Sequence, residues 1–327
     1  MKLSGYSSRT SQATVTAVVF IIFLILPICV GWFYYNNGFT LKQQVSSQLQ
    51  NEENIASAAI QLKLNRLTEI ASSLAVSPKI VAAVSQGNWD AAASVVRDAQ
   101  NNPSFYDPYI DRMVFFDSNG VEQSAYPTLI GGIGNNASST SWYTTAVQTD
   151  TVVVSSVVRR AATPSLNVIE IAAPVFNGND VIGILVMQIP TDNFLDFGYA
   201  LSTGTYGFTY IVDSKGNVVA HPKYSATDGV VNLASVAPVK NILAGESGEM
   251  ITSDPSGNQN NFLVYEPISK YGWGIVIQEP YTEAFTAYNA MMKNMGIAEA
   301  LLLVIDVLVS YLVFRFIGSR RSREELK

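Results

Sequence analysis

The sequence predicts an α+β protein in which a long N-terminal helix precedes two tandem antiparallel-sheet modules, flanked by two transmembrane helices. Three observations predict this arrangement. Two apolar segments near the ends of the 327-residue chain are each long enough to span a bilayer. A stretch with apolar residues at helical spacing follows the first of them. The pattern then changes to short β-rich runs separated by glycine-containing turns, which is typical of antiparallel strands.

Composition narrows the classes of function. Only 14% of the residues are charged, against about 25% in an average soluble protein, so part of the chain is expected in lipid. The net charge of −6 argues against a nucleic-acid partner, because phosphate binding needs a basic face. Cys29 and His221 are the only residues of their types, which excludes an intramolecular disulfide and a multi-histidine metal site. We therefore expect neither a metal nor a cofactor.

The first apolar segment, residues 13–35, is predicted to be a transmembrane helix. It contains no charge and ends in the aromatic cluster Trp32–Tyr35, as expected at a headgroup boundary. A cleaved signal peptide is the alternative, but its apolar core is typically about 7–15 residues long. Bulky aromatic residues also occupy the place where a cleavage site is expected. We predict a retained anchor.

The second apolar segment, residues 295–317, is predicted to be the other transmembrane helix. Basic residues precede the first helix and follow the second, which places both ends of the chain in the cytoplasm by the positive-inside rule. The prediction is a two-pass plasma-membrane protein with a cytoplasmic N-terminus (1–12), an extracytoplasmic domain (36–294) and a cytoplasmic tail (318–327). The basic residues are Lys2, Arg9, Arg315, Arg320, Arg321, Arg323 and Lys327.

Asp306 lies near the middle of the second predicted transmembrane helix. An acid in this position is costly and indicates a functional role by default. The alternative is that Asp306 pairs with its copy, or with another polar group, in a dimer.

The extracytoplasmic domain is expected to begin with helices. Apolar residues recur at helical spacing from about Thr40 to Gln86, and Gly87 is expected to end this helix. Asn88 is expected to cap a second helix near Trp89–Gln100.

A strand, an Asp-Ser-x-Gly turn and a further strand occur at Asp117 and again at Asp213, which predicts two related sheet modules. The first module covers about residues 90–195 and is predicted to be distal from the membrane. The second module covers about 200–282 and is predicted to be proximal to it. Both share the long helix. The expected strands include Arg112–Phe116, Val152–Val158, Val168–Ile171, Val181–Ile189 and Phe208–Val212, and a further turn is expected at Asp254–Gly257.

An ordered set of motifs runs through both modules. FFDSNG, SWYTTA and IAAPVFNGNDVIGILVMQI lie in the first, and GTYGFTYIVDSKGNVVAHPK and NFLVYEPISKYGWGIVIQEP lie in the second. In order and spacing they resemble the double Cache (dCache) family, the PAS-like extracytoplasmic sensor domains of prokaryotic chemoreceptors and sensor kinases. The resemblance implies ligand recognition in the distal module and signalling by movement of the C-terminal helix.

Many relatives that bind amino acids carry an arginine two residues before a Trp-Tyr pair and an acid on the last distal strand. Here Trp142 and Tyr143 are present. Thr140, however, occupies the position of the arginine, and Gln188 occupies the position of the acid on the strand. The resemblance therefore does not support recognition of amino acids or of amines, which need an anionic partner.

Where relatives often carry Tyr-x-Asp, this chain has Val158 followed by Arg159 and Arg160. The planar guanidinium group suits carboxylates, so the favoured ligand is a small organic acid or a neutral polar metabolite. Adjacent strand residues face opposite ways, so at most one of the two arginines is expected to point inward, and both could lie in a solvated loop. The predicted ligand-binding residues are Trp142, Tyr143, Arg159, Arg160 and Gln188.

Two of these interpretations have plain structural alternatives. Trp142 on a helix over a sheet could belong to the core instead of the site. His221, which precedes Pro222, could be a hydrogen-bonded structural residue or a pH switch.

The resulting functional prediction is a membrane receptor that senses a small extracellular molecule and transmits the signal as a homodimer. It implies an output domain beyond the tail or a cytoplasmic signalling partner. The alternative is a stand-alone membrane-anchored Cache protein that binds a partner. An extracytoplasmic hydrolase is a third possibility, but HExxH, GxSxG and phosphate-binding glycine motifs are missing from the sequence, so no catalytic residue is predicted.

Overall fold

The computed structural model describes residues 4–200, 207–253 and 260–324. Side chains are described at 21, 23, 25–197, 207–252, 260–313, 315 and 316. The chain divides into two compact units, of which one is Gln48–Tyr281 and the other combines Met1–Ser47 with Thr282–Lys327. The first of these units carries both sheets.

Long helices lie at both ends of the chain and the strands lie between them. The helices are α1 (Ser4–Ala75), α2 (Pro78–Ser85), α3 (Trp89–Gln100), α4 (Ser141–Thr149), α5 (Leu195–Ala200), α6 (Ala237–Leu243), α7 (Tyr281–Ala284) and α8 (Thr286–Glu324), and Thr191–Phe194 forms a 3₁₀ turn. The strands are β1 (Arg112–Asp117), β2 (Glu122–Tyr126), β3 (Val153–Val154), β4 (Val158–Arg159), β5 (Asn167–Asn177), β6 (Asp180–Pro190), β7 (Phe208–Val212), β8 (Val218–Ala220), β9 (Gly248–Ser253), β10 (Asn260–Ile268) and β11 (Trp273–Pro280).

The strands form two antiparallel sheets, as predicted. The sheet of the first module has the order β2-β1-β6-β5-β3, with β4 also paired to β5. The sheet of the second module has the order β8-β7-β11-β10-β9. In each sheet the first strand pairs with the last long strand, β1 with β6 and β7 with β11. This pairing brings residues far apart in sequence to neighbouring positions.

The helices before the first sheet follow the prediction with one difference. The first helix was expected to continue to Gln86, but it ends at Ala75 and α2 begins at Pro78. Proline disfavours a helical conformation in the residue before it, and Ser77 is accordingly extended (ψ 127°). The predicted cap of α3 is confirmed, since Asn88 Oδ1 accepts a hydrogen bond from Ala91 N at 3.1 Å.

One strand prediction differs from the structure. The run Val152–Val158 was expected as one strand, but only Val153–Val154 pairs at one end, while Val158 starts a separate strand. The side chain of Ser155 accounts for the interruption, because its Oγ accepts a hydrogen bond from Glu170 N. The further strand expected after the turn at Asp117 is β2, Glu122–Tyr126. The predicted turn Asp254–Gly257 lies outside the described residues.

Helix α1 contributes to a core that reaches both sheets. Its buried residues at helical spacing, Ile60, Leu64 and Leu67, belong to one cluster with Phe115 of the first sheet and Ile275 of the second. The opposite face of the first sheet packs against α4, and the opposite face of the second sheet packs against α6. The two modules therefore share one apolar layer along α1, as the sequence predicts.

One described helix segment is long and apolar enough to cross a membrane. It is Thr286–Val313 of α8, with a mean hydropathy of 2.2 and no buried residue. It overlaps the predicted span 295–317 but begins earlier. A second candidate arises only if Ile25–Ala75 and Pro78–Ser85, which are bent by 57° at their junction, count as one span. Many side chains of the predicted span 13–35 lie outside the described residues, so that span stays a prediction.

His221 has the structural role that was one of its two interpretations. Its Nδ1 accepts a hydrogen bond from Lys223 N at 3.0 Å, and its ring packs against Tyr210 and Tyr224. Burial, together with the charge of Lys223, lowers the pKa of His221 to about 4. The imidazole is thus neutral at physiological pH, and protonation near pH 6 is not expected.

Candidate ligand-binding site

The face of the first sheet that packs against α4 carries a row of buried polar side chains. Arg112 of β1, Gln188 of β6 and Glu170 of β5 are direct partners in the strand register. They occupy the same face as Val114, Val186 and Ala172, because residues two apart on a strand point the same way. All three are at least 94% buried. Glu122 of β2 forms an ion pair with Arg112. We call these four residues the polar row.

Arg112 is held in place by two partners. Its Nη2 donates to Glu122 Oε1 at 2.5 Å, and its Nε donates to the carbonyl of Pro127 at 3.1 Å. Both charged side chains are buried, and burial raises the pKa of Glu122 while Arg112 opposes that rise. The positive charge of Arg112 is therefore already balanced within the protein.

Glu170 lacks such a partner and sits next to Gln188. Gln188 Nε2 donates to Glu170 Oε1 at 2.8 Å. Burial raises the pKa of Glu170 from 4.5 to about 7, the hydrogen bond from Gln188 opposes this rise, and the charges of Glu122 and Arg112 act in opposite directions. Near neutral pH this carboxyl group exists in both protonation states, so it can accept or donate a hydrogen bond.

Two buried polar atoms of the row have no hydrogen-bond partner among the described residues. They are Arg112 Nη1, a donor, and Gln188 Oε1, an acceptor. An unsatisfied buried polar atom costs about 1–3 kcal/mol, so such atoms are rare and call for an explanation. Because Arg112 and Gln188 are register partners on one face, one small molecule with adjacent acceptor and donor atoms could satisfy both.

Two loops meet beside the polar row. The loop after β2 reaches it through Pro127 and Gly132, and the loop after β4 joins it where Thr163 N donates to the carbonyl of Ile130 at 2.9 Å. Arg160 lies in this second loop with its side chain buried. It forms an ion pair with Asp111 and donates to the carbonyl of Pro164. Since Asp111 N donates to Gln188 O at 3.1 Å, Arg160 is linked to the end of the row.

The two adjacent arginines point in opposite directions, as the sequence predicts for a strand. Arg160 is buried on the side of the polar row, whereas Arg159 is exposed. Arg159 donates to the carbonyls of Ala226 and Asp228 in the second module. Its predicted role in ligand binding stays a prediction, but the structure does not bring it together with Gln188.

Trp142 and Tyr143 lie at the other end of the same face. The ring of Trp142 is 5.5 Å from that of Phe116, which is four residues along β1 from Arg112. Four residues of a strand span about 13 Å. Tyr143 donates through its hydroxyl to Ser118 O at 2.8 Å, and both aromatic side chains belong to the core beneath α4. Among the predicted residues, the structure therefore groups Arg160 with Gln188 and leaves the aromatic pair apart.

Sequence reasoning missed Arg112, Glu122 and Glu170. One signal was available for Glu170, because it is the only charge in the apolar run Val168–Val175. Arg112 was included in a predicted strand without any role. In the described part of the chain there is no group of three or more histidine, cysteine or acidic residues that could hold a metal.

Gly132 packs directly against the buried ion pair, which leads to a testable prediction. A Cβ atom there would lie 2.5 Å from Arg112 Nη2 and 2.6 Å from Glu122 Oε1. We expect Gly132→Ala to lower the free energy of unfolding by about 1–3 kcal/mol, because the two buried side chains of the pair would have to shift. Gly229→Ala is the matched control, since nothing lies within 4 Å of its added Cβ. Equal unfolding midpoints in urea for the two variants would contradict the prediction.

Comparison with known families identifies the fold. The family model dCache_1, described as a Cache domain, matches residues 38–288. The chain belongs to this family. Its Cache domain is thus a sensor domain of the type that membrane receptors carry outside the cytoplasm, and the family is not one of enzymes. The resemblance stated from the sequence motifs is confirmed.

Similar proteins agree with this assignment. A "Probable methyl-accepting chemotaxis protein" of Bacillus thuringiensis subsp. konkukian (strain 97-27) is 24% identical over 97% of this chain and 46% of its own length. The chain therefore spans about half the length of that relative. The ligand-binding domain of the Pseudomonas fluorescens chemoreceptor CtaA, solved with L-isoleucine, aligns with a TM-score of 0.59 at 16% identity, covering 77% of this chain and 99% of that domain.

A second solved neighbour is the ligand-binding domain of the Pseudomonas aeruginosa PAO1 amino-acid chemoreceptor PctB in complex with L-Arg. It aligns with a TM-score of 0.57 at 17% identity and covers 78% of this chain and 98% of that domain. At these sequence identities the similarity shows the fold alone. The ligand of this Cache domain has to be inferred from the residues of its own site.

Proposed function

We propose that this chain is the input part of a membrane receptor and that its ligand is a small uncharged polar molecule. The ligand binds at the polar row of the first module. The main support is that two buried atoms, Arg112 Nη1 and Gln188 Oε1, have no partner among the described residues. The carboxyl group of Glu170, which can donate or accept a hydrogen bond, lies beside them. Amides, ureas and nucleobase edges present the matching acceptor and donor side by side.

Charge favours this class over the small organic acid that was the other expectation. Arg112 is already paired with Glu122, and Arg160 with Asp111, so the positive charge of each guanidinium is already balanced within the protein. An anionic ligand would also meet the carboxylates of Glu122 and Glu170. A zwitterionic amino acid would have the same difficulty with its carboxylate group.

The receptor topology is part of the proposal. The apolar segment Thr286–Val313 followed by basic residues supports a membrane helix with a cytoplasmic C-terminal end. Together with the predicted helix 13–35, this supports a Cache domain that lies outside the cytoplasm. Ile55 and Leu62, seven residues apart on α1, are 64% and 71% exposed and support a homodimer through this helix. The output is an additional domain or a partner protein.

Thermal unfolding of the full chain in lipid nanodiscs tests the ligand class. The probes are acetamide, urea and adenine as uncharged molecules, succinate as an acid, L-isoleucine and L-arginine as amino acids, and putrescine as an amine. We expect stabilisation by an uncharged probe, about 2.7 kcal/mol at a hundredfold excess over Kd. In Gln188→Ala the stabilisation should disappear. Gln148→Ala, which changes an exposed glutamine of α4, should retain it.

The outcomes separate the alternatives. Stabilisation only by succinate, by an amino acid or by putrescine would overturn the uncharged-ligand proposal. Stabilisation that persists in Gln188→Ala would place the site elsewhere. No stabilisation by any probe would favour the stand-alone, partner-binding protein.

A further inference from the structure

The polar row is connected with the second module through two consecutive arginines, Arg159 at the end of β4 and Arg160 directly after it. Arg160 points towards the polar row and is buried, and Arg159 points the other way. Alternation along a strand makes this arrangement possible, because adjacent side chains face opposite sides.

The guanidinium group of Arg159 donates hydrogen bonds to three consecutive carbonyl groups of the second module. Its Nη1 donates to Ala226 O at 3.0 Å and to Asp228 O at 2.6 Å, and its Nη2 donates to Thr227 O at 3.1 Å. Ser165 and Asn167 of the first module accept further hydrogen bonds from the same guanidinium. The rigid planar fork of arginine suits such a set of acceptors, and a lysine ammonium could not reproduce it.

Other groups of the first module hold the same loop. Asn167 N donates to Ala226 O at 2.7 Å, and Asp192 accepts hydrogen bonds from Ala226 N at 2.6 Å and from Ser225 Oγ at 3.2 Å. A further bond between the two modules runs from Val157 N to Asp213 Oδ2 at 2.7 Å. Several hydrogen bonds thus join this loop to the first module.

At the other end, Arg160 is joined to the polar row by a short chain of bonds. It pairs with Asp111, whose backbone N–H donates to the carbonyl of Gln188. Asp111 also directly precedes Arg112 in the sequence. The proposed ligand position between Arg112 and Gln188 is thus linked through Asp111 to Arg160.

We infer that the Arg159–Arg160 pair couples the ligand-binding row of the first module to residues 225–228 of the second module. Arg159 is a positioning residue in this inference and does not contact the ligand. The inference rests on the proposed function only in that ligand binding is the event transmitted. The coupling itself is a property of the unliganded protein, and it acts equally in both directions.

Reciprocity allows a test that needs no ligand. Amide hydrogen exchange is measured on the full chain in lipid nanodiscs for wild type and Arg159→Ala. Loss of charge-assisted bonds should make peptides covering 225–228 exchange about tenfold faster. Peptides covering Asp111–Met113 and Gln188 should also exchange faster, although the substitution does not touch them. Arg159→Lys should restore only part of the protection at both places.

Arg66→Ala is the matched control. Arg66 is an exposed arginine of α1 that donates to a backbone carbonyl, Ser104 O, at 2.7 Å without crossing between the modules. It should leave both groups of peptides unchanged. Faster exchange confined to 225–228 in Arg159→Ala would show that Arg159 merely anchors the loop and would overturn the inference. Thermal unfolding with the small-molecule probes tests the ligand class separately. Failure of the proposed coupling can therefore be distinguished from failure of the proposed ligand class.

Discussion

Replacing Arg112 with methionine is expected to lower the free energy of unfolding by about 3–5 kcal/mol. The substitution removes the only ion-pair partner described for Glu122, whose side chain is 4% exposed. A buried carboxylate without a partner is far more costly than the pair itself. The carbonyl of Pro127 also loses its donor. Urea unfolding of the full chain in detergent, followed by tryptophan fluorescence, measures the loss.

Two further variants show whether the unpaired charge is the cause. Arg112→Met combined with Glu122→Met should recover much of the loss, because both charges are then replaced by apolar groups of similar size. Arg97→Met removes an exposed arginine of α3 that is paired only with Asp98, and should cost less than about 1 kcal/mol. A loss in Arg112→Met no greater than that of Arg97→Met would refute the expected role of the buried pair.

Replacing Glu53 with glutamine is expected to stabilise the protein at alkaline pH by an amount on the order of 2–4 kcal/mol. Glu53 lies on α1 with its side chain buried, and its Oε1 has no partner in the described part of the chain. Burial, together with the nearby charge of Glu266 on β10, raises the pKa of Glu53 from 4.5 to about 8. The folded protein therefore holds this proton more tightly than the unfolded chain does.

The sign of the effect follows from that difference. Stability from the protonated carboxyl is fully present below pH 4.5, decreases as the pH rises, and is lost above pH 8. Glutamine keeps the shape of the protonated acid but does not ionise. Wild type and Glu53→Gln should thus be equally stable at pH 4 and differ most at pH 9.

Free energies of unfolding measured in urea from pH 4 to pH 9 provide the test. Glu266→Gln removes the neighbouring charge that helps to raise the pKa of Glu53. This variant should move the decline in stability to a lower pH range only if the second carboxylate contributes as described. Parallel pH profiles for wild type and Glu53→Gln would show that Glu53 is ionised in the folded protein at neutral pH.

Much of the local structure could be predicted, because its causes lie within a few residues. Asn88 caps α3 as expected from its position before the helix, and the strand β1 ends at the Asp-Ser-x-Gly turn. The end of the first helix was predicted too late. The predicted end of the helix is Gly87, but Pro78 lies nine residues earlier. A proline forces the residue before it out of the helical conformation.

The candidate site could be predicted only in part. The motif comparison predicted Gln188 and Arg160, which are linked through Asp111. It did not identify Arg112 or Glu170, whose importance depends on being register partners of Gln188. Alternation along a strand predicts which face a residue occupies. It does not predict which residue of another strand will lie opposite.

The motifs of the sequence identified the family by resemblance. Its hydrophobic and turn patterns predicted a long helix followed by two antiparallel-sheet modules. These features depend on hydrophobic periodicity and turn chemistry, which act over short stretches of chain. The tertiary structure alone decided which polar residues meet. Pairing of β1 with β6 assembled the polar row, and packing of β4 against the second module turned Arg159 towards residues 226–228. Such contacts join residues distant in sequence, so their energies depend on strand register and packing, which no local pattern encodes.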